Sequence, residues 1–325
     1  MADFSAPASE SSFQRYVTRR ETGIVGGTEE HSRYAYGADL AMLRTFKRLK
    51  PVELVVSSVV RTYKGVLRNQ YLGTTVRVGP RQLPRIHRIA KECAETLGVP
   101  LPTVYVANSP FMNAYTFGTD EDSFVVVHSK LVDDFTDEEL KFVIGHEMGH
   151  VQNKHVVYGT ALRLLKMNVG VWLRWIAPPA EAALLAWARR AEITCDRAGL
   201  LCCLDVDVAM KTFMKMACGS ARLYDELDVD VFLEQLDAGR EGVGRFTELM
   251  ASHPYLPKRI QALRLFAESE LYRGALGLEG GRPLGEIDAE VNEFLQVVRG
   301  KKSGGKRGAA PAPLPEGGAQ EGEDA

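Results

Sequence analysis

The chain has 325 residues, 45% hydrophobic and 25% charged, which is the make-up of a soluble globular protein with room for one large domain or two smaller ones. A net charge of −2 leaves no global field to favour nucleic acid or an anionic membrane. Five scattered cysteines without a C-x-x-C argue against a disulfide framework and for reduced thiols in the cytoplasm.

The N-terminus has no basic start and no apolar core, so it does not read as a secretory signal. Residues 1–36 lack periodicity and read as a flexible arm. Asp39–Lys50 and Val52–Tyr63 read as short helices separated by Pro51. The basic cluster Arg44, Lys47, Arg48 and Lys50 reads as a solvated helix face rather than a nucleic-acid contact. Thr74–Val78 alternates like a strand. Gln82–Leu97 is amphipathic, with Leu83, Ile86, Ile89, Ala90, Cys93 and Leu97 on one stripe and Gly98 as its stop. Thr103–Ala107 and Ser123–His128 read as strands, with Asn113–Thr116 as an edge segment between them.

Phe135–His155 carries the strongest local signals. Thr136 and Glu139 form a capping box, and Phe135 and Leu140 occupy the staple positions. Asp137, Glu138 and Glu139 suit the positive end of the helix dipole. Leu140, Val143, Ile144, Met148 and Val151 recur at helical spacing. On this helix lies His146-Glu147-Met148-Gly149-His150, an H-E-x-x-H sequence. Residues i and i+4 share a face, so both imidazoles can reach one metal ion with Glu147 beside it. A chance match has odds of about one in a hundred in a chain this long.

Val156–Ala188 holds Trp172, Trp175 and Trp187 and reads as a helical hairpin broken at Pro178-Pro179. Arg163, Lys166 and Arg174 interrupt it, so no run reaches the ~18 apolar residues of a membrane span. Packing on the core is the plain reading of this hairpin; peripheral docking on a membrane or protein through residues 161–190 is the sharper one. Helices follow at Ala180–Cys203, Val206–Cys218, Val229–Leu236, Arg245–Met250, Pro257–Leu271 and Glu286–Val298. Residues 300–325 are Gly, Pro and charge and read as a disordered tail.

Two histidines leave a catalytic zinc site one protein ligand short. Glu192, on a separate helix, is the best candidate, although on spacing alone a solvated carboxylate competes with that role. Asp196 lies at i+4 on the same face, where it can orient an imidazole. The outlying histidines His31, His87, His128 and His155 read as structural or surface residues; His155 falls off the ligand face.

Four segments in order carry a resemblance. They are Asn113-Ala114-Tyr115, the H-E-x-x-H, Glu192 with Asp196, and Ser252-His253-Pro254 followed by Arg259. Over roughly residues 75–270 the chain resembles the gluzincin zinc metallopeptidases of the HtpX and CAAX prenyl endopeptidase family. The resemblance implies one zinc bound by His146, His150 and Glu192, and peptide hydrolysis by a metal-activated water with Glu147 as general base. It further implies that His253 stabilises the oxyanion, that Asn113, Ala114 and Tyr115 line the substrate cleft, and that Arg259 partners buried acids. Three features depart from the pattern: a charged hairpin stands where integral-membrane members carry spanning helices between the second histidine and the ligand glutamate, Tyr115 stands where phenylalanine is common, and Cys195 replaces a small residue. Cys195 reads as a small buried hydrophobe, with contact to the metal or a redox brake as the sharper alternatives.

The expectation is an α+β, mostly helical, zincin-like domain over residues 37–299, with a small sheet beside the zinc helix. It is a metalloendopeptidase acting on polypeptides, cytoplasmic or peripheral to a membrane, with no nucleic-acid partner. Cobalt or manganese would suit the same donors. The competing function is a metal-binding scaffold that docks through the Trp hairpin; it has no need of the Glu147 base.

Overall fold

The structure is a computed structural model that describes residues 27–28, 31–46, 56, 73–118, 122–166, 177–220, 222–223, 226–238 and 256–295. The expected helices at 52–63 (apart from residue 56) and 245–250, Trp172, Trp175, His253 and the tail lie outside the described residues.

The elements in order are β1 (Gly27–Thr28), β2 (His31–Ser32), α1 (Gly37–Phe46), β3 (Thr75–Arg77) and α2 (Pro84–Leu97). Next come β4 (Thr103–Ala107), β5 (Ala114–Gly118), β6 (Ser123–His128), α3 (Ser129–Asp134), α4 (Asp137–Gln152) and α5 (Val156–Lys166). The described chain ends with α6 (Ala177–Cys203), α7 (Val206–Cys218), α8 (Val229–Ala238), α9 (Leu256–Ala267), α10 (Glu270–Ala275) and α11 (Leu284–Leu295).

The main sheet has the order β3-β4-β6-β5. β4 and β6 run parallel, Thr103 opposite Phe124, and the outer strands pair antiparallel. The run Phe-Val-Val-Val in β6 is buried on both faces, as a central strand requires. β5 is an edge and runs past the expected Thr116 to Gly118, because its pairing continues to Gly118 opposite Ser123. α2 starts at Pro84 rather than Gln82. Gln82 closes a turn on Gly79, and Leu83 sits at φ 59, so the proline takes the first helical position. Its stripe Ile86, Ile89, Ala90, Cys93 and Leu97 is buried, each large residue contributing about 1.5–3 kcal/mol.

The long α6 crosses α4 at very short range. A Cβ on Gly145 would lie 2.6 Å from Cys202 Sγ; one on Gly149, 2.8 Å from Ala198 Cβ; one on Gly199, 2.6 Å from the Phe142 carbonyl oxygen. Glycine costs roughly 0.5–1 kcal/mol in a helix interior, and here it permits an approach that no side chain allows.

Two further segments differ from expectation. Residues 31–36, read as the end of a loose arm, are packed: Ser32, Tyr34 and Tyr36 are buried, and the Asn153 side chain accepts from both the amide and hydroxyl of Ser32. Expected as one helix over 257–271, the chain breaks at Glu268–Ser269. There Ser269 caps a new helix and the backbone bonds across to Arg282. Trp187 is buried in a cluster with Leu43, Phe46, Leu162 and Leu184, so this end of the Trp hairpin is core. Among the described residues no helix is long and apolar enough to cross a membrane.

Candidate metal centre

α4 begins at the expected capping box. The Thr136 amide donates to Glu139 Oε2 at 2.8 Å, and the Glu139 amide to Thr136 Oγ1 at 3.3 Å. Lys215 on α7 donates to both oxygens of Glu139, at 3.0 and 2.9 Å, and to the Asp134 carbonyl. The start of the helix is thereby pinned to a second helix, which sets the rotation of the face that carries His146 and His150.

α6 places Glu192 opposite that face. Glu192 Oε2 lies 3.5 Å from His146 Nε2, and its Oε1 lies 3.7 Å from His150 Nε2. A tetrahedral site with bonds of ~2.1 Å has edges of about 3.4 Å, so these donors sit where one ion fits. His146 Nδ1 contacts Asp196 Oδ1 at 2.9 Å, which leaves Nε2 as the ligand atom. Arg259 on α9 donates to both oxygens of Asp196, at 2.5 and 2.9 Å, and lies 3.1 Å from Glu192 Oε2. Glu192 and Asp196 flank the buried Arg259 guanidinium, and Glu147 adds a third buried carboxylate to the site, an excess of negative charge that suits a divalent cation.

Burial alone would lower the pKa of His146, but Asp196 and Glu192 outweigh it and the net shift is upward. Burial also raises Glu147, opposed by His146 and by a hydrogen bond from Thr116. That bond, Thr116 Oγ1 to Glu147 Oε2 at 2.7 Å, joins the edge strand to the helix. Burial strips solvation from Arg259, yet the charges of Asp196 and Glu192 hold it protonated.

A cavity of about 390 Å³ opens beside these groups, lined among others by Asn113, Ala114, Tyr115, Glu147, Arg163 and Trp187. A smaller one of about 90 Å³ lies on the α7–α9 side against Phe142, Phe213 and Met216. Arg163 stacks 4.1 Å over the Tyr115 ring. The structure therefore brings together His146, Glu147, His150, Glu192, Asp196, Arg259 and the Asn113–Tyr115 segment; His253 lies outside the described residues.

Sequence reasoning did not find Asp39, the place of His155 beside His150, or the bond from Thr116 to Glu147. His155 was placed off the ligand face, but a turn after α4 brings its buried ring back, with Nδ1 3.3 Å from His150 Nδ1. Its Nε2 lies 3.0 Å from Asp39 Oδ2, in contact with the carboxylate but off the straight hydrogen-bond line. Cys195 is buried as expected, its Sγ 3.6 Å from His155 Nδ1; burial, with Glu192 and Asp39 adding to it, raises its thiol pKa. His128 bonds the Phe111 carbonyl and packs its ring edge-on to Tyr115, beside the cleft.

A helix with two imidazoles and a glutamate, a second carboxylate from a crossing helix, and a small mixed sheet along one wall define an α+β zincin-like fold. The model of the family described as Peptidase family M48 matches residues 80–267, more than half of the chain, and the chain belongs to that family. "Plastoglobule-localized metallopeptidase 48, chloroplastic" of Arabidopsis thaliana is 40% identical over 168 residues, 50% of this chain and 49% of that protein. "Protease HtpX homolog" of Thermococcus kodakarensis is 32% identical over 100 residues, 30% of this chain and 34% of that protein. "Protease HtpX" of Vibrio vulnificus is 27% identical over 205 residues, 53% of this chain and 69% of that protein. The chain thus spans about half or less of the length of the first two.

Proposed function

We propose that this chain is a zinc-dependent metalloendopeptidase, with one catalytic unit over residues 37–299. The observation that carries the reading is the triangle of His146 Nε2, His150 Nε2 and the Glu192 carboxylate, with Glu147 on the same cleft wall. A zinc ion held there supplies Lewis acidity to a water and to the scissile carbonyl. Glu147 takes the proton of the attacking water and passes it to the leaving nitrogen. Thr116 fixes one of its carboxylate oxygens, leaving the other for the proton. Asp196 and Arg259 hold the donor set in place. The edge strand β5 borders the cavity, and an extended peptide is assigned to the edge near Asn113–Thr116. His253, three residues before α9, is assigned the oxyanion. The Glu147 base and its bond to Thr116 support an enzyme over a scaffold, which has no use for them.

The test is cleavage of an unstructured polypeptide such as casein by the wild type, by Glu147→Gln and by chelator-treated protein. Glu147→Gln is expected to keep its zinc and lose hydrolysis; full activity in that variant sinks the mechanism. Stoichiometric zinc in Glu192→Ala removes Glu192 from the ligand set.

The name of the Arabidopsis relative places it at plastoglobules. Peripheral attachment of this chain within residues 161–190, apart from the buried cluster of Leu162, Leu184 and Trp187, is our proposal for localisation. Flotation with anionic liposomes tests it, and absence from the lipid fraction refutes it.

A further inference from the structure

We propose that His155 and Asp39 are positioning residues for the metal ligand His150, a buried chain that fixes which nitrogen of His150 carries the proton. The proposal rests on the metal site above. It assigns a role in that site to α1, which lies outside the residues matched by the family model.

The two ligand histidines are supported differently. His146 Nδ1 meets a carboxylate directly, at 2.9 Å from Asp196. His150 Nδ1 meets another imidazole, the Nδ1 of His155, at 3.3 Å. One of these two nitrogens must carry the proton and the other accept it. The far side of His155 decides which. Its Nε2 faces Asp39, a carboxylate that only accepts, so the proton of His155 sits on Nε2. His155 Nδ1 is then a lone pair, and His150 Nδ1–H donates to it. His150 Nε2 is left as a lone pair toward Glu192, the state that a metal ligand needs. The Cys195 thiol, 3.6 Å away, is a second donor to the same lone pair.

Asp39 is itself held from three sides. Trp187 Nε1–H donates to Oδ1 at 2.8 Å, and Thr194 Oγ1–H donates to Oδ2 at 2.7 Å, beside the His155 contact. Asp39, His155, Thr194 and Trp187 are all buried, so water does not substitute for a lost partner.

Asp39→Asn keeps size and removes only the second acceptor. The new NH2 cannot face Trp187, whose indole nitrogen only donates. It must face His155 and Thr194, and Thr194 can turn its hydroxyl to accept. His155 Nε2 then becomes the acceptor, and the proton moves to Nδ1. His150 is driven to carry its own proton on Nε2, where the metal should bind.

The experiment is zinc affinity of the full-length protein by chelator competition, with the melting temperature of the zinc-free protein in parallel. Asp39→Asn and His155→Gln are each expected to weaken zinc about ten- to a hundredfold. The double variant Asp39→Asn/Trp187→Phe lets the amide turn over and present its oxygen to His155. It is expected to regain zinc affinity relative to Asp39→Asn, although removing the indole costs stability. A purely structural role predicts the reverse, damage that accumulates. Wild-type affinity in both single variants, or a double variant weaker than Asp39→Asn, overturns the proposal. A wild type that binds no zinc fails the metal site itself.

Discussion

Gly199→Ala puts a single methyl where α6 meets α4. Its Cβ would stand 2.6 Å from the Phe142 carbonyl oxygen and 2.9 Å from Phe142 Cδ2. Ordinary contact begins near 3.4 Å, so the backbone of α4 must retreat by about 0.8 Å. The carbonyl belongs to a helix and cannot rotate away. Ala gains roughly 0.5–1 kcal/mol over Gly in helix propensity, against an overpacking cost of about 1–3 kcal/mol. The net expectation is a loss of about 1–2 kcal/mol, or a melting temperature lower by about 3–6 °C. Gly199 lies seven residues after Glu192 on the same face, so the displacement acts on the ligand triangle. The separations of 3.5 and 3.7 Å between Glu192 and the histidines should open, with kcat/KM falling about ten- to a hundredfold and weaker zinc binding. Calorimetry and chelator competition read both effects. A variant as stable as the wild type, with unchanged zinc affinity, refutes the claim that this close crossing positions the site.

Lys215→Met leaves the Glu139 carboxylate buried with its cation removed and should cost about 3 kcal/mol in denaturant unfolding. Thr116→Val removes the hydrogen bond to Glu147 and should lower kcat about tenfold with zinc content unchanged, as read by steady-state kinetics and metal analysis. Burial pushes the Cys203 thiol from 9.0 up to about 12 and the Tyr272 phenol from 10.0 up to about 12. Above pH 9 the unfolded chain therefore releases protons that the folded one keeps. Stability should fall as pH rises from 9 to 12, and denaturant titrations at pH 8 and 10.5 check the sign. The same shift should slow alkylation of Cys203 by iodoacetamide at pH 8 well below its rate in urea.

What the sequence by itself determined were features written over a few consecutive residues. The capping box at Thr136 and Glu139, the stop at Gly98, the β-branched run of β6 and the i, i+4 histidines need only local backbone geometry. Glu192 and Asp196 stand out as an i, i+4 carboxylate pair on a second helix, but spacing alone leaves a solvated carboxylate in competition, and the resemblance carries the ligand reading. Edges and breaks were less legible. β5 continues to Gly118 because β6 offers partners there, and the helix at 256 stops at Ala267 because the chain bonds across to Arg282.

Only the tertiary structure decided who stands beside the ligands. Helix phase put His155 off the metal face, but the left-handed Lys154 (φ 57) ends that phase and turns the ring back onto His150. Asp39, more than a hundred residues away, has no local signature at all and reaches His155 because α1 packs on α6. The glycines at 145, 149 and 199 gain their role only where the two helices touch. Local propensity sets the shape of each segment. Contacts between segments far apart in the chain set the distances at the candidate metal site, and those exist only once the core has closed.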